Sequence, residues 1–183
     1  SSAPIVMTSE KEEPGAWGGI HICGKAHTNA EGGKGSSEIG GATYGGNDDA
    51  DNSGTLKYVR VEYSGYAFDS EHEANGITFY GVGNGTTVEH CQAYKGSDDG
   101  FEFFGGSVNV SNLVSVSCSD DSFDWTAGWN GTATNLVAYQ EAEETLGYDC
   151  DCLIEADNNE NNYAATPVAH PVLKNLILVG NNS

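Results

Sequence analysis

The feature that most constrains this chain is a short string of alternating apolar residues that recurs five times between glycine-rich turns. The copies run Leu56 to Gly65 (LKYVRVEYSG), Val88 to Gly96 (VEHCQAYKG), Val110 to Cys118 (VSNLVSVSC), Ala133 to Glu141 (ATNLVAYQE) and Leu173 to Gly180 (LKNLILVG), with starts 32, 22, 23 and 40 residues apart. A second string follows the early copies, Gly76 to Phe79 (GITF), Gly100 to Phe103 (GFEF) and Ser122 to Trp125 (SFDW), at offsets of 24 and 22. Alternation puts Ile77, Phe101 and Phe123 on one face with Phe79, Phe103 and Trp125. It turns Thr78, Glu102 and Asp124 the other way, toward a face expected to be wet. A unit this short cannot bury its apolar face alone, so successive units must stack.

The expected fold is therefore all-β: a right-handed parallel β-helix with rungs of about 22–25 residues and strands stacked about 4.8 Å apart. A leucine-rich repeat lacks support, because neither its leucine framework nor a helical return segment is present; a β-sandwich would also suit regular strand spacing. Residues 1–183 read as one β-helix domain, expected to be a segment of a longer chain, with loop excursions at 31–54 and 141–152. Ile5-Val6-Met7 and Ile20-His21-Ile22-Cys23 read as strands of an earlier rung. Stacking turns the third position of the first string into a column of Tyr58, His90, Asn112, Asn135 and Asn175, whose amides can hydrogen-bond up the ladder. Beside it runs an inner column of Val59, Cys91, Leu113, Leu136 and Leu176.

Several strings together resemble a family of bacterial extracellular β-helix proteins, known mostly as hypothetical lipoproteins or sorting-domain proteins. They are WGGI (from Trp17) with Gly24-Lys25-Ala26, DNSGTLKYVRVEYSG (from Asp51), SDDGFEFFGG (from Ser97), SDDSFDW (from Ser119) and IEADN (from Ile154). The resemblance covers nearly the whole chain. It implies a solenoid displayed outside the cell, secreted or on the cell surface, and implies no catalytic residues. Cys23 and the Cys150-Asp151-Cys152 segment depart from the family pattern, which leaves cysteine chemistry open.

The repeat also stacks acids. Asp98 falls over Asp120 and Asp99 over Asp121; placing the next rung by its IEA string sets Asp151 after Asp120, while Glu102, Asp124 and Glu155 form a parallel column. Carboxylates about 5 Å apart repel unless a cation, a hydrogen-bonding neighbour or a proton intervenes. Calcium, with six to eight oxygen ligands, fits such a ladder, so these eight residues are the expected metal ligands. The plainer reading is that the aspartates cap turns by accepting from local backbone N–H groups.

A net charge of −20, from 27 acidic and 7 basic residues, makes a phosphate backbone an unfavourable partner. No apolar run approaches the roughly 20 residues of a membrane-spanning helix. The five cysteines lack zinc-site spacing. Cys118 is placed to bridge to Cys150 or Cys152 if that loop folds back over its rung and the chain is secreted. Asn84, Asn109 and Asn130 head glycosylation sequons at expected turns, relevant in a eukaryotic host. Tyr63, Tyr80, Tyr94, Tyr139 and Trp129 are candidates for a sugar-stacking platform, although packing explains them equally well.

The functional expectation is a structural or adhesive module, calcium-stabilised, contacting polysaccharide or other surface proteins, with no catalytic residue. The first alternative is a polysaccharide-cleaving enzyme, since paired carboxylates are what glycoside cleavage requires; Asp98, Asp99, Asp120 or Asp121 would supply acid and base. Its support is thin, because Gly-His-Gly and Arg-Ile-Lys strings are absent and the only arginine, Arg60, sits with Lys57 and Lys95 among acids they are expected to offset. The second alternative is a subunit of an extracellular filament or surface assembly, in which the chain assembles with itself or with the rest of a longer polypeptide.

Overall fold

The computed structural model describes residues 3–69 and 72–181. Two parallel sheets form the walls of a solenoid. The first runs, in spatial order, Ile5–Met7, Val59–Glu62, Thr87–Tyr94, Val110–Val116, Thr132–Tyr139 and Val172–Val179, with Thr55–Lys57 pairing beside Val59–Glu62 on the same neighbour. The second runs Ile20–Cys23, Ile77–Tyr80, Phe101–Phe104 and Phe123–Thr126. Every pairing in both sheets is parallel. Register follows the repeat: Val88 faces Val110, Val110 faces Ala133 and Ala133 faces Leu173, while Ile77, Phe101 and Phe123 stand in one row. The molecule is a parallel β-helix.

The interior is filled by vertical stacks. Phe79 lies 5.0 Å from Phe103 and Phe101 lies 5.4 Å from Phe123, in near-parallel stacking; Trp129 closes on Phe103 at 4.1 Å and donates its indole N–H to the carbonyl of Val108. Val59, Cys91, Leu113 and Leu136 form the facing wall and are all buried, whereas Leu176, in the edge strand Val172–Val179, is 38% exposed. Offset-stacked aromatics contribute about 0.5–1.5 kcal/mol per pair beyond the area they bury.

The strands bend where the backbone turns left-handed. Tyr58, His90, Asn112, Asn135 and Asn175 all have φ between 56° and 60°, which explains why this column drops out of the pairing register. Asn tolerates this conformation better than other non-glycine residues, and its short amide reaches the next rung. Asn135 Nδ2 donates to Asn112 Oδ1 at 2.9 Å, and Asn175 Nδ2 donates to Asn135 Oδ1 at 3.0 Å. Tyr58 and His90 continue the column as a ring stack, 4.7 Å apart. A second corner uses Gly81, Gly105 and Ala127 (φ 55°, 64° and 53°); at Gly105 a Cβ would come within 2.7 Å of the Ala127 carbonyl.

Two expectations need correction. The outward face of the second sheet is not wet: Thr78 is fully buried, and Glu102 and Asp124 are 7% and 8% exposed. Residues 31–54 fold across it, pairing Gly35–Ser36 with Thr43–Tyr44 and laying Tyr44 5.2 Å from Tyr80. The sugar-stacking platform also dissolves, because Tyr80 and Trp129 are buried in packing while Tyr139 is exposed elsewhere. In residues 141–152 a single helical turn, Glu143–Leu146, precedes the Cys150 segment.

Candidate acidic cleft

Parallel stacking carries the acids to one side of the solenoid. Backbone bonds from Gly76 N to Asp99 O, Gly100 N to Asp121 O and Ser122 N to Cys152 O show that Asn75, Asp99, Asp121 and Cys152 occupy equivalent positions on four rungs. At this position the acids bond upward. Asp99 Oδ1 accepts from the backbone N–H of Asp121 at 2.9 Å, and Asp121 Oδ1 accepts from that of Cys152 at 2.7 Å. For Asp99 and Asp121, capping thus runs between rungs rather than within one turn.

Their neighbours Asp98, Asp120 and Asp151 stand one position earlier, and Glu102, Asp124 and Glu155 three positions later, so the eight residues do converge. Oxygen ligands of Asp98, Asp99 and Asp120 lie within 4.8 Å of one another, as do those of Asp99, Glu102 and Asp124 and those of Asp121, Asp124 and Glu155. Asp121, Asp151 and Cys152 form a fourth such group at the edge. Most of them line a cleft of about 240 Å³, joined there by Glu38, Glu73 and Asn75. Glu38, Glu102 and Asp124 also border a wider cleft of about 830 Å³, with Tyr44, His72, Asp157 and Glu160 along its rim. No lysine or arginine lines either cleft among the described residues. The basic residues work elsewhere: Lys57 pairs with Glu89, Arg60 with Glu62 and Lys95 with Glu141.

Crowding of like charges out of water raises carboxyl pKa values, and burial is the largest cause for Asp98, Asp99, Glu102, Asp121, Asp124 and Glu38. Asp98 and Asp121 are pushed up to about 8, Glu38 to about 7 and Asp124 to about 6. Asp99 and Glu102, the most enclosed, lie well above the usual carboxylate range. After burial, the facing carboxyl of the next rung adds to the rise: Asp124 acts on Glu102, Asp120 on Asp98 and Glu155 on Asp121.

Asn75 is the odd member of its column. Its Nδ2 donates to Glu102 and to Thr78 Oγ1, while its Oδ1 has no hydrogen-bond partner although the side chain is 1% exposed and lines the small cleft. An orphaned buried oxygen costs about 1–3 kcal/mol unless something fills its coordination. Cations are its natural complement. Aligning GITF with GFEF would have put Asn75 in the Asp99 position. Glu38 carries no comparable signal, because it lies in a segment outside the repeat.

The remaining predicted sites are dispersed. Asn84 and Asn109 are exposed and Asn130 is half-buried; Asn109 Oδ1 already accepts from the Thr132 backbone at 2.9 Å. All five cysteines are free, with Cys118 and Cys150 buried and Cys152 exposed. No helix among the described residues is long and apolar enough to cross a membrane.

A parallel solenoid carrying a lateral cleft of stacked carboxylates is the architecture these observations define. The chain belongs to the pectate-lyase-like β-helix domain family, which matches residues 1–183. No curated protein and no solved structure matches it.

Proposed function

We propose that this chain is an extracellular structural or adhesive β-helix module whose small acidic cleft takes a divalent cation and whose wider cleft contacts carbohydrate. The observation that carries the reading is Asn75 Oδ1, a buried amide oxygen without a hydrogen-bond partner, on a residue lining a carboxylate cleft that holds no basic side chain among the described residues. Calcium suits the donor set: all ligands are hard oxygens, some anionic and one neutral, in a cleft with room for water. Asp98, Asp120, Glu73 and Asn75 would hold the ion, while Asp99 and Asp121 keep their bonds to the next rung. Bound there, the ion would supply the positive charge that the chain lacks wherever hydroxyl- or carboxyl-bearing sugars approach.

Calorimetric titration with calcium tests this reading. Saturable binding in the micromolar to millimolar range, lost in Asn75→Ala, supports it. No heat, together with no change in thermal midpoint on adding calcium or chelator, overturns it.

Cleavage of a polysaccharide is the second reading, and the family gives it a footing. Asp98, pushed up to about 8 by burial and within 4.8 Å of the exposed Asp120, has the form of an acid beside a base. A glycan panel assayed for new reducing ends or unsaturated products decides the matter; turnover abolished by Asp98→Asn would make this reading the correct one.

A further inference from the structure

Two of the five thiols are buried close together in the chain's stacked rungs. Cys118, just past strand Val110–Val116, is 1% exposed and Cys150 is 5% exposed. Bonds from Ser122 N to Cys152 O and from Glu155 N to Phe123 O place residue 152 over 121, so the segment that carries Cys150 enters beside the turn that carries Cys118. Tyr148 ties the incoming segment to the same spot, its hydroxyl donating to the Ser117 carbonyl at 2.8 Å. Adjoining rungs lie about 4.8 Å apart. A disulfide spans about 4.4–6.8 Å. Cys152 is differently disposed: it is exposed, and its thiol donates to Asp151 Oδ1 at 3.4 Å.

We propose that Cys118 and Cys150 form a disulfide that fastens residues 141–152 to the solenoid when the chain meets a thiol oxidant. With glutathione disulfide, one protein thiolate attacks a glutathione sulfur and expels the first glutathione. The second thiolate then attacks the protein sulfur of that mixed disulfide and expels the other. Two protons leave the protein and two electrons pass to glutathione. Burial pushes both thiols up to about 11, so closure at neutral pH is slow and speeds up about tenfold per pH unit. The bridge would fix the segment whose Cys152 N–H bonds Asp121, one residue from the cleft-lining Asp120.

The full chain, equilibrated in a glutathione redox buffer, quenched with acid and unfolded, is assayed for free thiols and mapped by mass spectrometry without reduction. Five thiols should fall to three, with one linked peptide pair joining Cys118 to Cys150. Amide exchange over residues 148–155 should slow at least about tenfold on closure. Cys152→Ser should leave the link intact and Cys150→Ser should remove it; if the latter misfolds, the Cys152→Ser result and the peptide map still decide. Five free thiols after equilibration, or any link that does not join Cys118 to Cys150, overturns the proposal.

Discussion

On the first sheet the column of Asn112, Asn135 and Asn175 binds to itself, amide to amide, at 2.9 and 3.0 Å, whereas on the second sheet Glu102, Asp124 and Glu155 stack groups that repel when ionised. The geometry of stacking is the same in both. What differs is the chemistry of the side chain: an amide carries a donor and an acceptor, so each copy satisfies the next, while a carboxylate only accepts. An acid column must therefore borrow a donor. Here it holds back protons and takes an N–H from Asn75. Solvent sharpens the contrast, since Asn135 and Asn175 are exposed and Glu102 and Asp124 are buried.

The largest way to break the comparison is pH. The clefted carboxyls bind their protons more tightly folded than unfolded, so folding is favoured most below about pH 4. That advantage drains away as pH rises through about 6 for Asp124, about 7 for Glu38 and about 8 for Asp98 and Asp121. In chelator the thermal midpoint should thus fall by on the order of 10 °C between pH 5 and pH 8.5, and millimolar calcium should restore most of it. A midpoint that instead rises over this range would refute the account of carboxyls raised by burial.

Asp124→Asn turns one step of the acid column into an amide step. In chelator at pH 8 it should raise the midpoint by about 3–6 °C, and it should weaken calcium binding about tenfold, read by differential scanning and isothermal calorimetry. The counterpart on the first sheet is Asn135→Ala, which removes both amide bonds and leaves alanine at φ 60°. Denaturant unfolding should show a loss of about 1–2 kcal/mol, equal at pH 5 and pH 8 and indifferent to calcium. The smallest effect belongs to Asn175→Ala, about 0.5–1 kcal/mol, because only one amide bond ends there. Should Asn135→Ala prove as pH-sensitive as Asp124→Asn, the two columns are not independent.

Much of this was legible in the residues. Ile77, Phe101 and Phe123 announced one row, and the Asn column announced its own hydrogen bonds, because a side-chain period of two and a recurring unit leave a single register that buries the apolar face. The eight acids were likewise gathered by offsets alone. What could not be read was the enclosure around them. Thr78, Glu102 and Asp124 alternate with core residues as solvent-facing positions do, and nothing in GSSEIGGATYGG (from Gly35) says that Tyr44 and Glu38 will return across them. The orphaned Asn75 oxygen was equally hidden, since orphanhood is a property of surroundings.

The amino-acid sequence by itself determined the solenoid, its register and which residues stack, since each repeat must lend its apolar side to the next to be buried at all. The tertiary structure alone decided which stacked polar residues lose water, because that depends on where residues 31–54 come to rest, and no periodicity governs that segment. Loss of water, more than the spacing of the carboxyls, is what makes them hold protons.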